Sequence, residues 1–375
     1  MTSPDAVLRA GKPAADLVQV LAKAKAAGNH VGLISNHAEP SWFDAAFRTS
    51  AIQFLQVRGR QSGEIIAQNA EKHSLNSFDV LVLATKDDDV QMGKNGGAIL
   101  IAAGWSVSPI VKALGICIAD AKEFDELVEL TAGWKGNWWF AGDGPTYRVR
   151  ALADLSGYGK SNAQQIFAQK LTGTVKNGGS RLNALLAVAS RSLFMDGVGE
   201  QKGLVWGVYP SSNSDNDDNE VLSDFTHRLR TTVSRVRFCK HGEPLFIRHK
   251  PSAKRSTGGG GDRSNPCDQV TSIHLNPFYK DKGRLRGANA IVVDDCTTYG
   301  VSFGVAAAFL RAAGAVAVTG IALGKFGSQL RSYDIKILTD PFAPVAATGF
   351  TWAEPVSFAG ERNVDVQNNL HALVP

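Results

Sequence analysis

Residues 290–302 read AIVVDDCTTYGVS, and an alanine-rich stretch, GVAAAFLRAAGA (304–315), follows. The run predicts a buried parallel strand that ends on two adjacent carboxylates, Asp294 and Asp295. The chain then turns through small hydroxyl residues and Gly300 and enters a helix. In an open parallel sheet, ligands lie beyond the carboxyl ends of the strands. At such a turn the first backbone N–H groups of the helix have no partner within it, and the helix dipole adds positive potential. Thr297, Thr298 and Ser302 add hydroxyl donors, so the turn reads as a phosphate cradle. The two carboxylates suit ribose hydroxyls, or a magnesium ion bridging to a diphosphate. The ligand these residues ask for is a sugar phosphate with a second, metal-bound phosphate group. A strand ending in a solvated acidic turn is the plainer alternative. It accounts for the strand, but not for the acidic pair, hydroxyl loop and helix together.

The rest of the chain sets the frame. It has 375 residues, 44% hydrophobic and 20% charged. That is ordinary for a globular protein and long for one core, so two domains are expected. No apolar run is long enough for a transmembrane helix, and the first 30 residues lack a secretory pattern. Cys117, Cys239, Cys267 and Cys296 are scattered without a CxxC, which fits a reduced cytoplasm better than a zinc or disulfide framework. The net charge of +5 is mild. Strand–helix–strand alternation (VGLIS, IQFLQV, FDVLVLA, ALGICIA, then LVWGVYP and AVAVTGIAL) predicts α/β architecture with mainly parallel sheets flanked by helices. Expected boundaries are an N-terminal α/β domain over 1–150, a helical connection over 151–200 and a second α/β domain over 201–375.

AIVVDDCTTYGVS resembles the phosphoribosyl-diphosphate (PRPP) binding motif of type I phosphoribosyltransferases, with further similarity over 204–330 to the competence-associated amidophosphoribosyltransferase-like proteins. The resemblance implies that Asp294 and Asp295 contact the ribose hydroxyls and the metal. It implies that Thr297, Thr298, Tyr299, Gly300, Val301 and Ser302 hold the 5′-phosphate. It also implies Mg²⁺ as cofactor, with PRPP and a nitrogenous base as substrates. That family commonly has Thr or Ala before the glycine. Tyr299 stands there in this chain, so the phenol must either point away from the phosphate or cover the pocket. Ser211, Ser212 and Asn213, after LVWGVYP, are similar in position to the family's diphosphate loop; an ordinary polar turn is the alternative. IRHKPSAKRSTGGGGDRSNP (247–266), with Arg248, Lys250, Lys254, Arg255 and Arg263, resembles the family's closing loop. A basic surface loop or a nucleic-acid contact would carry the same charges. The tail FGSQLRSYDIKILTDPFAPVAATGFTWAEPVSF is a candidate hood for the base.

The N-terminal half, with VGLISNHAEPSWFDAAF (31–47), resembles haloacid-dehalogenase-like (HAD) phosphatases. The matching residues are Ser35 and Asn36 after an apolar strand, Lys72 as the lysine, and Asp88 among Asp87–Asp89 as the acidic motif. No strand before residue 31 is expected to carry that family's nucleophilic aspartate. Ser35 as a helix cap and the acidic run as a turn are the alternatives. His37, His73 and His274 lack identifiable partners, and Trp134, Trp138 and Trp139 serve packing as well as they would serve stacking. The expected protein is thus a cytoplasmic phosphoribosyltransferase without membrane or nucleic-acid partners, with a homodimer as one assembly. The alternatives are a PRPP sensor without turnover, a phosphatase, or a nucleic-acid binder using the basic stretch 228–255.

Overall fold

The structure, a computed structural model, describes residues 1–217, 220–234, 243–252 and 264–373, without the side chains of Ser180 and Leu373. Lys254, Arg255, Arg263 and Cys239 lie outside the described residues. The chain is mixed α/β with mostly parallel sheets. No described helix is long and apolar enough to cross a membrane.

It forms two compact units. The first comprises Met1–Lys135, Gly179–Glu200 and Arg228–Lys240; the second comprises Gly136–Gly178, Gln201–His227 and His241–Pro375. These units cut across the expected boundaries at 150 and 200. The strand Arg148–Asp154 pairs in parallel with Ala317–Lys325, so it belongs to the C-terminal sheet. Within the helical connection expected over 151–200, helix Asn162–Asn177 lies in the second unit and helix Ser180–Met195 in the first. Apolar periodicity locates strands and helices but does not say which sheet they join.

In the first unit the parallel strands Gly32–Ser35 and Gln53–Gln56 pair, as do Leu81–Ala84, Ile99–Ala103 and Ile116–Ile118. Thr2 bridges both sets, to Leu33 on one side and Leu83 on the other. A short extended segment at Met1–Ser3 therefore precedes residue 31 and lies between these strands, and it carries no aspartate. Its three residues are too few to register as an apolar run. All five residues of Ile99–Ala103 are buried, as a strand covered on both faces requires. Helix Ala15–Ala26 buries Leu17, Val20, Leu21 and Ala24 at helical spacing. A cavity of about 590 Å³ opens at the amino ends of these strands, beside Gly32, Val80 and Ile99.

In the second unit the sheet order is Leu204–Val208, Asn289–Thr297, Ala317–Lys325, Arg148–Asp154, Phe140–Asp143 and Glu361–Arg362. The first four strands are parallel, and the last two add antiparallel. Helix Val301–Ala312 is buried along most of its length. It packs closely because a Cβ at Gly320 would come within 2.4 Å of the Phe303 ring. The tail forms two small antiparallel pairs, Arg331–Ser332 with Val356–Ser357 and Ile335–Ile337 with Phe350–Trp352.

Candidate functional site

The strand Asn289–Thr297 does not stop at the acidic pair. It runs on through Asp294 and Asp295 to Thr297, and only Thr298–Gly300 turn before helix Val301–Ala312 begins. Its pairing with the neighbouring strand continues past the carboxylates, with Asp294 opposite Ala322, Cys296 opposite Gly324 and Thr297 opposite Lys325. The turn itself is tied down. Gly300 N–H donates to Thr297 Oγ1 at 3.1 Å, and Gly300 caps the helix at φ 83°. That left-handed backbone favours glycine, and a Cβ there would also meet Leu330 Cδ1 at 2.9 Å.

The two carboxylates are half-buried and held by local donors. Asp295 N–H donates to Asp294 Oδ1 at 2.9 Å, and the Ser302 hydroxyl donates to Asp294 Oδ2 at 2.7 Å. Cys296 N–H donates to Asp295 Oδ1 at 2.6 Å. Burial pushes the Asp294 carboxyl well above the usual carboxylate range, the Asp295 charge pushes it further, and the Ser302 hydroxyl opposes both. Burial followed by the same two carboxylates also raises the Cys296 thiol well above its ordinary value. A raised thiol is a poor nucleophile, so the motif's cysteine is a packing residue here.

Tyr299 points toward the tail. The Arg331 guanidinium lies over its ring at 5.0 Å, and the Tyr299 carbonyl accepts from Arg331 N–H at 3.0 Å. The tail thus packs on the Thr298–Gly300 turn, but through Leu330 and Arg331, close to its start.

Val208 is in register with Val293, so Tyr209–Asn213 leaves the sheet beside the acidic pair. Ser211 and Asn213 are exposed and Ser212 is half-buried. Ser212 O accepts from Ser252 N–H, and the Ser211 hydroxyl donates to Glu220. Arg248 is not an exposed lid cation. It ends the strand Phe246–Arg248, which pairs antiparallel with Ile273–Leu275, and it is buried. Its alternation with exposed His249 and Lys250 belongs to a strand leaving the core, a signal masked in the sequence by the surrounding basic residues. Lys250 is exposed.

Lys325 is a buried cation that the sequence reading missed. It ends its strand opposite Thr297 and Asp154, and its Nζ donates to the carbonyls of Gly327 and Gln329 at 2.7 and 2.9 Å. Burial brings its ammonium down to about 8, with Arg362 adding repulsion and Asp154 opposing. A lysine at the carboxyl end of an otherwise apolar strand was the available signal. The unfolded chain keeps this proton up to the ordinary lysine range while the folded chain releases it above about 8. Stability therefore rises with pH through that window. The stability of the wild type relative to Lys325→Met should increase between pH 8 and 10 in urea titrations. A flat difference would contradict the shift.

In the first unit, Ser35 and Asn36 end their strand at the carboxyl edge, with Asn36 Oδ1 accepting from Arg60 N–H at 3.2 Å. Asp87–Asp89 open the helix Asp87–Asn95. Lys72 is not near them: it lines the cavity at the opposite, amino end of the strands. The buried acid is Asp89 rather than Asp88, and its partner is Arg60 at 2.6 Å, with the side chains 0% and 5% exposed. Asp89 Oδ2 also accepts from the Ser3 hydroxyl at 3.0 Å and from Thr85 N–H at 2.9 Å. Comparison of the chain with protein-family models, with curated proteins and with solved structures finds no match.

Proposed function

We propose that the second unit is a type I phosphoribosyltransferase domain that uses PRPP. One observation carries the reading. The acidic pair with its hydroxyl turn and the Tyr209–Asn213 loop emerge side by side at the carboxyl edge of one parallel sheet. A phosphoribosyl diphosphate has three groups to hold: a 5′-phosphate, a diol and a diphosphate. The Thr297–Ser302 turn with its helix start suits the 5′-phosphate. Asp294 and Asp295 suit the diol, because carboxylates only accept hydrogen bonds and the hydroxyls can donate. The Ser211–Asn213 loop suits the diphosphate.

Two adjacent carboxylates fit Mg²⁺ in the manner this ion prefers, with one or two protein oxygens and the remainder from substrate phosphates and water. Among the described residues no three His, Cys, Asp or Glu side chains form a complete protein cage, so the metal would arrive with the diphosphate. Asp294 and Asp295 would hold it, and it would neutralise charge on the departing diphosphate. In the reaction a nitrogen of the acceptor forms a bond to the anomeric carbon while the bond to the diphosphate oxygen breaks. The electron pair leaves with diphosphate. The residues here position the ring and stabilise charge rather than exchange protons with it.

Calorimetric titration of PRPP with Mg²⁺ tests the binding, and diphosphate release across a panel of bases tests the turnover. Saturable binding with release for at least one base is expected. Binding without release for any base would leave a PRPP sensor, and no binding by folded protein would overturn the reading.

Tyr299 adds a second expectation. With its ring held against Arg331 it does not cover the turn. Arg331→Ala should free the ring and weaken PRPP binding by roughly tenfold, about the contribution of one cation–π contact plus one charge near a phosphate. Arg331→Ala with Tyr299→Thr should recover part of that loss, since no ring remains to move. Equal losses in the single and double variants would mean that Arg331 acts on the ligand alone.

For the first unit we read a HAD-like domain without phosphatase chemistry. The central Met1–Ser3 segment, flanked by the strands that carry Ser35 and precede Asp87, supports the fold. Ser3 stands at the carboxyl end of that segment, where the family's nucleophilic aspartate is expected, and a serine there cannot form the aspartyl-phosphate.

A further inference from the structure

We propose that Arg248 is the positioning residue of the Pro210–Asn213 loop and the buried countercharge of the diphosphate bound there. The inference rests on the phosphoribosyl reading above and deepens it. Nothing in the sequence distinguishes Arg248 from the other basic residues of 228–255, but its surroundings do.

Its guanidinium donates to the Pro210 carbonyl at 3.1 Å, to Gln269 Oε1 at 3.1 Å and to the Ser272 hydroxyl at 2.8 Å. The Tyr209 hydroxyl donates to the same Gln269 oxygen at 2.8 Å, and Gln269 Nε2 donates to Ser252 Oγ at 3.1 Å. The backbone of Arg248 joins in as well. Its N–H donates to Asn216 Oδ1 at 2.7 Å, and its carbonyl accepts from Asn216 Nδ2 at 3.0 Å. One residue therefore fixes both ends of the loop, Pro210 at the start and Asn216 at the finish. The strand pair Phe246–Arg248 and Ile273–Leu275 moves only if the loop moves with it.

The charge is unusual. Arg248 is 5% exposed, yet every acceptor it reaches is neutral, and it has no ion pair among the described residues. Its Nε has no hydrogen-bond partner among the described residues. A buried cation without a counterion is costly and is normally paired. Burial lowers its guanidinium below the ordinary value; Tyr209 opposes first, then Asp268 and Asp294, and burial outweighs them. In the phosphoribosyl reading, the loop it supports is the one that holds the diphosphate. An arriving diphosphate would supply the missing negative charge across the Pro210 backbone, in a region where charges are weakly screened.

The test uses the full chain with Mg²⁺ and three probes: PRPP, inorganic diphosphate and ribose 5-phosphate. Arg248→Gln should weaken diphosphate and PRPP by roughly 10- to 100-fold, the range for one charged hydrogen-bonding group, and leave ribose 5-phosphate within about threefold. Arg248→Lys, which keeps the charge but loses the fork, should fall between. Gln269→Glu guards against an uninformative unfolded variant. It gives Arg248 an internal carboxylate, so the melting temperature should hold or rise while diphosphate affinity falls. Wild-type affinity for diphosphate in both Arg248→Gln and Gln269→Glu would overturn the proposal, as would equal losses for all three probes. If the wild type binds neither PRPP nor ribose 5-phosphate, the phosphoribosyl reading itself fails and this proposal falls with it.

Discussion

Replacing Asp294 and Asp295 together by asparagine is expected to abolish PRPP binding, lowering affinity more than a hundredfold. Each carboxylate offered to a ribose hydroxyl makes a charge-assisted hydrogen bond, and such bonds contribute about 1.5–3 kcal/mol apiece. Asparagine keeps the shape and can still accept one bond, but it presents no charge to the diol or to Mg²⁺. The variant should fold. An asparagine can keep its Oδ1 on the Asp295 N–H and donate its Nδ2 to the Ser302 hydroxyl, which turns to accept. Stability should rise rather than fall. At neutral pH the native protein holds a carboxyl that burial and the adjacent Asp295 both disfavour as an anion. Removing that conflict relieves strain that only a ligand or metal offsets. Calorimetry and thermal melting on one preparation read both effects. A variant that melts higher and no longer binds is the signature of a site kept for function at the expense of stability. Unchanged binding would place the ligand elsewhere.

The sequence made some of this legible and hid the rest for identifiable reasons. Leu204–Val208, Asn289–Thr297 and Ala317–Lys325 are apolar runs bounded by polar turns, so their strand character was readable. Their adjacency was not, because register comes from long-range pairing that leaves no local mark. The strand end was misplaced at Asp295, since carboxylates in a row look like a turn; the ladder continues, with Ala322 opposite Asp294 and Gly324 opposite Cys296. Arg148–Asp154 was divided between the end of the first domain and the helical connection, because parallel pairing can reach across any sequence distance and leaves no local mark. In the candidate site the acidic pair and hydroxyl turn were visible as a compact motif. Arg248 was visible only as one basic residue among many, since a buried arginine and an exposed one have the same letter. Lys72 was chosen in the first unit because it falls where the HAD resemblance would place a lysine. The arginine that meets the acid, Arg60, sits in a three-residue helical turn after Gly59 that no periodicity announces.

Asp89→Ala is expected to destabilise the first unit by about 3–5 kcal/mol, the cost of leaving a buried charge without its partner. Among the described residues the Arg60 guanidinium has Asp89 and, beyond that, only a long contact to Met92 Sδ. Asp89 also accepts the backbone N–H groups of Thr85 and Lys86, which open the helix Asp87–Asn95. Alanine therefore strands one cation and two backbone donors. Arg60→Met with Asp89→Leu removes both charges and fills similar volume, and should recover a good part of the loss, as buried ion pairs often can be exchanged for apolar contacts. Guanidinium titration of wild type, single and double variants measures the cycle. The result bears on function as well as on stability. A carboxylate committed to Arg60, Ser3 and two backbone amides has little left for a metal ion, and a domain built that way should not hydrolyse p-nitrophenyl phosphate with Mg²⁺. A loss under about 1 kcal/mol for Asp89→Ala would mean that Asp89 is not held by Arg60. Its carboxylate would then be free to serve as a metal ligand, and phosphatase activity would have to be sought in this unit after all.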